Sequence, residues 1–317
     1  MSSTSEGTLP LRPLTVGELL DAAIALLRGH AGPLLALAGA LAVAEQLALL
    51  PLRRAGDLTP PDYTPSLGHN WLAFLGIVGV GLGTEAVAIT LLGAAAARYA
   101  VPAFLGPGLD RRRVGPGRWL AVVAVALVIG AGATLTWFAG GILWPLWYLS
   151  TGLIAPTLVA DLRPPVAPRA VAGALARGPA GGAPAPVPVG RGILRGLGLV
   201  YRSGLRPGSI RLLNYLAWLL VRLALGYGAW ITAEELLGVV SSLWLGVIAT
   251  TGFAVADAVA YATAGCLDAV LQVEARIRLE GLDIAAGTAR RLGTPLADVL
   301  RVPRPVPVTD WRAGVPR

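Results

Sequence analysis

The chain contains no lysine, because all 26 of its basic residues are arginine. A phosphate-binding P-loop places a lysine on the phosphates, and Schiff-base catalysis requires a lysine amine. The sequence therefore excludes both kinds of chemistry.

Cysteine and histidine are almost as scarce. Cys266 is the single cysteine and lies in an apolar run, which excludes an internal disulfide and a thiol-rich metal site. The two histidines, His30 and His69, flank different apolar segments without repeated acidic neighbours. The chain also lacks the G-x-S-x-G and H-E-x-x-H patterns of hydrolases. We therefore predict a non-enzymatic protein with no catalytic residues, no metal and no cofactor.

Charged residues make up only 14% of the chain against 55% hydrophobic ones, and the mean hydropathy is +0.67. Such a surplus of apolar side chains indicates a lipid environment. A helix of about 20 apolar residues crosses a bilayer core about 30 Å thick. Six runs satisfy this length: Gly32 to Leu52, Trp71 to Val101, Trp119 to Ala139, Ile142 to Ala160, Ser209 to Ile231 and Leu236 to Val273. We predict an all-α polytopic membrane protein with about six transmembrane helices.

Two shorter segments are amphipathic. From Leu14 to Arg28 the apolar residues recur at helical spacing, and Thr15 with Glu18 fits a capping box. We favour a helix in the membrane interface, with a packed helix as the alternative. Ile193 to Leu205 also mixes arginine with apolar residues ahead of two spans. The same arrangement therefore occurs twice, which suggests a structural repeat around the central hairpin.

The net charge of +8 fits either nucleic acid binding or the arginine bias of cytoplasmic loops. The loop between spans two and three and the loop between spans four and five hold most of the loop arginines. This placement favours six spans in the cell (inner) membrane with both termini in the cytoplasm, and it argues against nucleic acid as a partner.

The chain divides into four parts. Residues 1–162 hold the first amphipathic helix and spans one to four, and residues 163–190 form a linker rich in Pro, Ala and Gly. Residues 191–283 hold the second amphipathic segment and spans five and six. Residues 284–317 are expected to be a flexible cytoplasmic tail, because prolines interrupt most of that stretch.

Ionisable groups are costly to place inside a bilayer, so each one within a predicted span is a candidate functional residue. Five lie within the predicted spans: Glu45, Glu85, Arg222, Asp257 and Asp268. Glu85 and Arg222 have similar depth and are expected to pair. These groups either lock the helices together or form a proton, ion or polar-substrate site.

Arg98 and Arg211 lie near span ends, where arginine can snorkel. Gly79 and Gly83 have the four-residue spacing that lets helices approach closely. We interpret these glycines as packing within the chain, and a homo-oligomer is possible but unsupported.

Two segments resemble one family. LRPLTVGELLDAAIALLRGHAGPLL, from Leu11 to Leu35, and VLQVEARIRLEGLD, from Val270 to Asp283, resemble the opening and closing segments of multi-pass proteins of high-GC bacteria. These are often labelled glycerophosphoryl diester phosphodiesterase membrane domains. Gln272 stands where that family has an aromatic residue, and the linker also departs from it. The resemblance implies six helices and an inner-membrane location, but no established reaction, and we expect no catalytic domain in this chain.

The closing segment also carries a binding hypothesis. Arg276, Arg278 and Glu280 follow the last span, where arginine can bind lipid phosphates, and ordinary cytoplasmic anchoring is the alternative. The leading functional prediction is a scaffold or accessory protein for membrane lipids or a membrane protein partner. The alternative is a small-solute or lipid transporter that uses the buried charges of the second and fifth spans.

Overall fold

The structure is a computed structural model that describes residues 8–58, 70–106, 114–161, 188–236, 238, 241–294, 296 and 299. Its helices are α1 (Val16–Gly29), α2 (Ala31–Ala55), α3 (Trp71–Leu105), α4 (Pro116–Phe138), α5 (Leu143–Thr151), α6 (Ile154–Ala160), α7 (Val189–Arg202), α8 (Arg206–Ile231), α9 (Ser242–Glu280) and α10 (Leu282–Leu292). A π-helical turn, Thr232–Leu236, continues α8. The described residues contain no strand.

Six stretches are long and apolar enough to cross a membrane. They are Ala31–Ala55, Trp71–Leu105, Pro116–Phe138, Leu143–Ala160, Arg206–Leu236 and Leu243–Glu280. This confirms the prediction of an all-α polytopic membrane protein. The last of them begins later and ends later than the run predicted from Leu236 to Val273. We call the end of the bundle where α2 and α8 begin the basal end, and the opposite end the distal end.

Helix α1 begins as its sequence predicts. The Thr15 side chain accepts a hydrogen bond from the Glu18 amide, and the Glu18 carboxylate accepts one from the Thr15 amide. The apolar face of α1, including Leu19 and Leu26, is buried against α9. This is the packed arrangement that stood as the alternative to a helix lying in the membrane interface.

The fourth span is interrupted, although its sequence predicts one helix. Helix α5 ends at Thr151 and α6 begins at Ile154, with a turn at Gly152. The Arg211 guanidinium from α8 occupies the space that a side chain at Gly152 would fill. The missing side chain therefore lets a buried cation reach the backbone at the break.

Three helices of the first half have counterparts in the second. Helices α1, α2 and α3 have 14, 25 and 35 residues, and α7, α8 and α9 have 14, 26 and 39. The long third helices cross at two glycines: a Cβ on Gly265 would lie 2.6 Å from Leu92 Cβ and 2.9 Å from the Gly93 nitrogen. Glu85 precedes Gly93 by eight residues, and Asp257 precedes Gly265 by eight. The two halves thus share one plan, as the repeated amphipathic segments suggest.

Glycines also bring α3 and α4 together. A Cβ on Gly83 would lie 3.0 Å from the Gly130 carbonyl, and one on Gly79 would lie 2.6 Å from Trp137 Cδ1. Gly79 and Gly83 therefore serve packing within the chain.

The first residues of the expected tail, 284–292, are helical. Helix α10 occupies residues 282–292, where the expected tail begins, and the Arg290 guanidinium donates to the Leu105 carbonyl at the end of α3. The expected linker, apart from residues 188–190 at its end, lies outside the described residues.

Candidate functional site

A cavity of about 390 Å³ lies between α2, α3, α8 and α9 in the distal half of the bundle. Its walls are mostly apolar, with Leu49, Ile77 and Leu219 among the lining residues. Glu45, Glu85, Arg222 and Asp257, four of the five charged residues predicted inside the spans, line it as well. The fifth, Asp268, is not among the lining residues and lies nearer the basal end of α9.

Glu85 and Arg222 form the ion pair that their depth in the sequence predicts. The distance from Arg222 Nη1 to Glu85 Oε1 is 2.6 Å. The Tyr215 hydroxyl also donates to Glu85 Oε2, at 2.5 Å. Glu85 on α3 is therefore held by two side chains that both come from α8.

Asp257 on α9 connects this pair to the distal end. Arg222 Nη1 lies 3.3 Å from Asp257 Oδ1. The Gln46 amide donates to Asp257 Oδ2 at 2.9 Å, and its oxygen accepts from Arg53 Nη1 at 2.8 Å. A continuous chain of polar contacts thus runs from Arg53, near the distal end of α2, to the centre of the site.

Glu45 has neutral donors. The Tyr261 hydroxyl donates to its Oε2 at 2.7 Å, and the Thr84 hydroxyl donates to its Oε1 at 2.8 Å. Only 5% of Glu45 is exposed, and the structure gives it no direct ion pair among the described residues. It therefore adds a carboxyl group to the site without its own cation.

The charges around the cavity do not balance. Three carboxyl groups, from Glu45, Glu85 and Asp257, face one buried guanidinium, that of Arg222, with Arg53 at the distal edge. Buried charges are tolerated when a counter-charge or proton compensates them. The site therefore requires a proton or another cation for each carboxylate in excess.

Two residues that line the cavity each carry a fully buried donor with no acceptor among the described residues. These donors are Nε of Arg222 and Nε1 of Trp144. Arg222 is 4% exposed and Trp144 is 8% exposed. A buried donor without a partner costs about 1–3 kcal/mol, so such groups suit an oxygen supplied by a bound molecule.

The cavity occurs where the two halves of the fold differ. Helix α2 packs along α9, but its counterpart α8 has hardly any close backbone approach to α3 within the described part of the chain. Glu85 crosses this gap to reach Arg222 and Tyr215. Side chains rather than packed backbones thus join α3 to α8.

A second ion pair lies deeper in the bundle. Arg211 Nε lies 2.5 Å from Asp268 Oδ1, and the same guanidinium donates to the Tyr148 carbonyl. Arg211 is only 4% exposed, so the expectation that it snorkels from its helix end is wrong. The break at Gly152 explains the difference, because it gives the guanidinium a place inside the protein.

The basal end holds a denser network that joins α6, α7 and α9. Asp161 accepts from Arg195, and Arg276 Nη1 lies 3.0 Å from Asp161 Oδ1. Both guanidiniums also pair with Glu280, at 2.7 Å for Arg195 and 3.0 Å for Arg276. Burial opposes the charge of Arg195, but the carboxylates of Asp161 and Glu280 outweigh it and raise the Arg195 pKa above its ordinary value. The carboxylates of Asp161 and Glu280 thus balance the guanidiniums of Arg195 and Arg276 in this network.

The lipid-phosphate candidates belong to this end. Arg276 is 2% exposed and is bound to Asp161 and Glu280. Arg278 is more accessible, with 37% of its side chain exposed, but it pairs with Glu274 and donates to the Leu14 carbonyl. Protein groups therefore bind all three nitrogens of the Arg276 guanidinium, and Nε and Nη2 of the Arg278 guanidinium.

Two residues whose polar roles the sequence analysis missed, Tyr261 and Gln272, belong to a polar stripe on α9 that also holds residues it identified. Its polar members are Asp257, Tyr261, Asp268, Gln272, Arg276 and Glu280, at spacings of four and seven residues. These spacings place side chains on one face of a helix. The stripe is a signal that could have identified Tyr261 and Gln272. Tyr215 gives no such signal, because a single tyrosine in an apolar helix is ordinary.

A second cleft, of about 840 Å³, lies between α4, α5 and α7. Val128, Leu146 and Leu197 are typical of its lining, in which the described residues place no charged side chain. The Ser150 and Tyr201 hydroxyls, 3.1 Å apart, hydrogen-bond to each other there. This cleft thus lacks the excess charge that distinguishes the first.

Comparisons of the chain with family models, with curated proteins and with solved structures find no match. The resemblance to the phosphodiesterase-associated membrane family therefore stays a prediction.

Proposed function

We propose that this integral membrane protein is a non-enzymatic transporter for a small solute, with the cavity between α3 and α8 as its binding site. One observation carries the proposal: a 390 Å³ cavity ends on a buried network of three carboxyl groups and one arginine. Ligand sites have volumes of this order and combine apolar walls with a few placed polar groups. A scaffold, the leading prediction from the sequence, requires no such cavity.

The difference in helix packing between the two halves supports a binding site in which one wall, helix α8, moves. Helix α2 already packs on α9, and α8 stands away from α3. In the proposal α8 closes on α3 around the solute, and the basal ion pairs separate to open the other end. Loss of the negative charge on Glu85 weakens the bridge to Arg222, so neutralisation of this carboxylate favours the motion. The basal end lies in the cytoplasm in this proposal, as the arginine distribution predicts.

The test uses side-specific labelling. Cys266, the single cysteine, is fully buried, so Cys266→Ala provides a background without thiols. In that background Leu219→Cys places a thiol in the cavity wall, and Leu220→Cys places one on the neighbouring residue, whose side chain is 70% exposed on the outer surface of the helix. Both variants are reconstituted in sealed vesicles and treated with a membrane-impermeant methanethiosulfonate added outside or trapped inside.

A transporter exposes the cavity to each side in turn, so the Leu219→Cys thiol should react from both sides. The Leu220→Cys thiol, which faces lipid in the proposal, should react from neither. Reaction of Leu219→Cys from the distal side alone would mean a fixed pocket and would refute transport. Glu85→Gln should change the ratio of the two labelling rates, because it removes the charge that ties α3 to α8.

A further inference from the structure

The chemistry of the cavity wall defines a class of solute, on the premise of the proposed function that the cavity is a solute site. We propose that the solute is a protonated organic amine with an apolar body and an oxygen that accepts a hydrogen bond. Three features of the wall carry this inference: its excess of carboxyl groups, its aromatic and aliphatic surface, and its two buried donors without acceptors.

The excess of carboxyl groups over guanidiniums favours a cation. Arg222 binds Glu85 at 2.6 Å and approaches Asp257 at 3.3 Å, so one guanidinium serves two carboxylates. Glu45 is bound by the hydroxyls of Tyr261 and Thr84, which carry no charge. An ammonium group in the cavity supplies the missing positive charge at the wall that these acids form.

The remainder of the wall selects an apolar body. Six aromatic residues line the cavity: Phe74, Trp137, Trp144, Tyr215, Tyr227 and Phe253. Aromatic faces attract ammonium groups and cover the apolar part of such a molecule. A hydrated inorganic ion gains little from these walls. A volume of about 390 Å³ accommodates a molecule with one ring and a short side chain.

The unpaired donors select the oxygen. Nε of Arg222 and Nε1 of Trp144 are buried and lack acceptors within the described chain. When α8 closes on the solute in the proposed motion and these side chains turn toward it, a hydroxyl, ether or carbonyl oxygen can accept from either donor, whereas an amine alone leaves both unmet.

Three probes of similar size separate these requirements: 2-amino-1-phenylethanol, 2-phenylethylamine without the oxygen, and 1-phenylethane-1,2-diol without the charge. Binding to the full chain in lipid nanodiscs is measured by calorimetry at pH 7, with empty nanodiscs as the blank for partitioning. The amino alcohol should bind at least tenfold more tightly than the diol and severalfold more tightly than the amine. Equal binding of the amino alcohol and the diol, or none of the amino alcohol up to about 10 mM, a limit that corresponds to very weak affinity, overturns the proposal.

Variants add a second line of evidence. Asp257→Asn should weaken binding of the amino alcohol about tenfold and leave diol binding unchanged, since the side-chain shape is kept. Glu235→Gln removes an exposed carboxylate that is not part of the cavity wall and serves as the matched control. If Asp257→Asn fails to fold, the comparison of probes on the unaltered chain still decides. An equal effect of both variants contradicts the assigned site.

The experiments can reject the proposed substrate class and the proposed transport function separately. Two-sided labelling of Leu219→Cys with no amine binding leaves transport in place and rejects the amine. Amine binding with one-sided labelling keeps the binding site and rejects transport. Protection of the Leu219→Cys thiol by sodium chloride, but not by the amino alcohol, would show an inorganic cation in the cavity and overturn the inference.

Discussion

Arg222 on α8 and Glu85 on α3 bind each other at 2.6 Å across two helices whose backbones hardly approach. Most neighbouring helices of this bundle are held by buried apolar faces or by close glycine contacts. Between α3 and α8, the Glu85–Arg222 ion pair holds the two helices together instead. Its strength depends on the charge of both partners, which is the property that a proton or a cationic solute changes.

Removal of the buried Arg222 guanidinium should destabilise the protein more than removal of an exposed arginine. Arg222→Gln leaves Glu85 and Asp257 without their guanidinium, and loss of one partner of a buried pair costs about 3–5 kcal/mol. Unfolding in mixed micelles by added dodecyl sulfate, followed by tryptophan fluorescence, measures the effect. Arg202→Gln, at an exposed position of α7, is the matched control.

The double variant Arg222→Gln with Glu85→Gln should recover part of the lost stability, because the unpaired carboxylate is then neutral. A double variant less stable than Arg222→Gln alone would contradict a mainly electrostatic role for the pair.

The helices and the Glu85–Arg222 pair could be predicted from the sequence, because they depend on local properties. Span length follows from runs of apolar residues, and the depth of Glu85 and Arg222 follows from counting along each helix. Arg211 shows where counting fails. It lies five residues inside α8, which suggests snorkelling, but the break at Gly152 on another helix admits it to the interior.

The gap between α3 and α8 could not be predicted either. The sequence indicates that two similar halves exist, but it does not show that α2 packs on α9 while α8 stands away from α3. That difference arises from tertiary packing, in which α5 lies against α8. The partners of Glu45 were missed for the same reason, because Tyr261 and Thr84 reach it from two other helices.

The glycine at the break in the fourth span should be intolerant of a side chain. A Cβ at Gly152 overlaps the Arg211 guanidinium, so Gly152→Ala should displace the Arg211–Asp268 pair and cost about 1–3 kcal/mol by overpacking. The same unfolding assay measures it. Gly198→Ala, in α7, meets nothing within 4 Å and should be neutral or stabilise by up to about 1 kcal/mol. Equal effects of the two substitutions would argue against the close contact.

The basal network should matter more than the exposed arginine beside it. Asp161→Asn removes the carboxylate shared by Arg195 and Arg276 and should cost about 3–5 kcal/mol. Arg278→Gln removes a partly exposed group and should cost about 1 kcal/mol or less. Binding of anionic lipid vesicles, measured by flotation, tests the lipid hypothesis on the same variants. A loss of vesicle binding in Arg278→Gln with unchanged stability would favour lipid phosphate as its partner.

The start of α1 should respond to acid. The Thr15 amide, the Arg12 guanidinium and the Thr15 hydroxyl bind the Glu18 carboxylate and lower its pKa from 4.5 to about 2. Because the pKa is lower in the folded state, the cap contributes fully above pH about 4.5, the ordinary range of a glutamate. Its contribution is lost as pH falls from there through about 2. Hydrogen exchange at the first turn of α1 should therefore accelerate over this interval, beyond the intrinsic change with pH. Glu18→Gln keeps a side chain that can complete a capping box but does not titrate, so this acceleration should disappear in the variant. The same acceleration in Glu18→Gln would assign the acid response to another group.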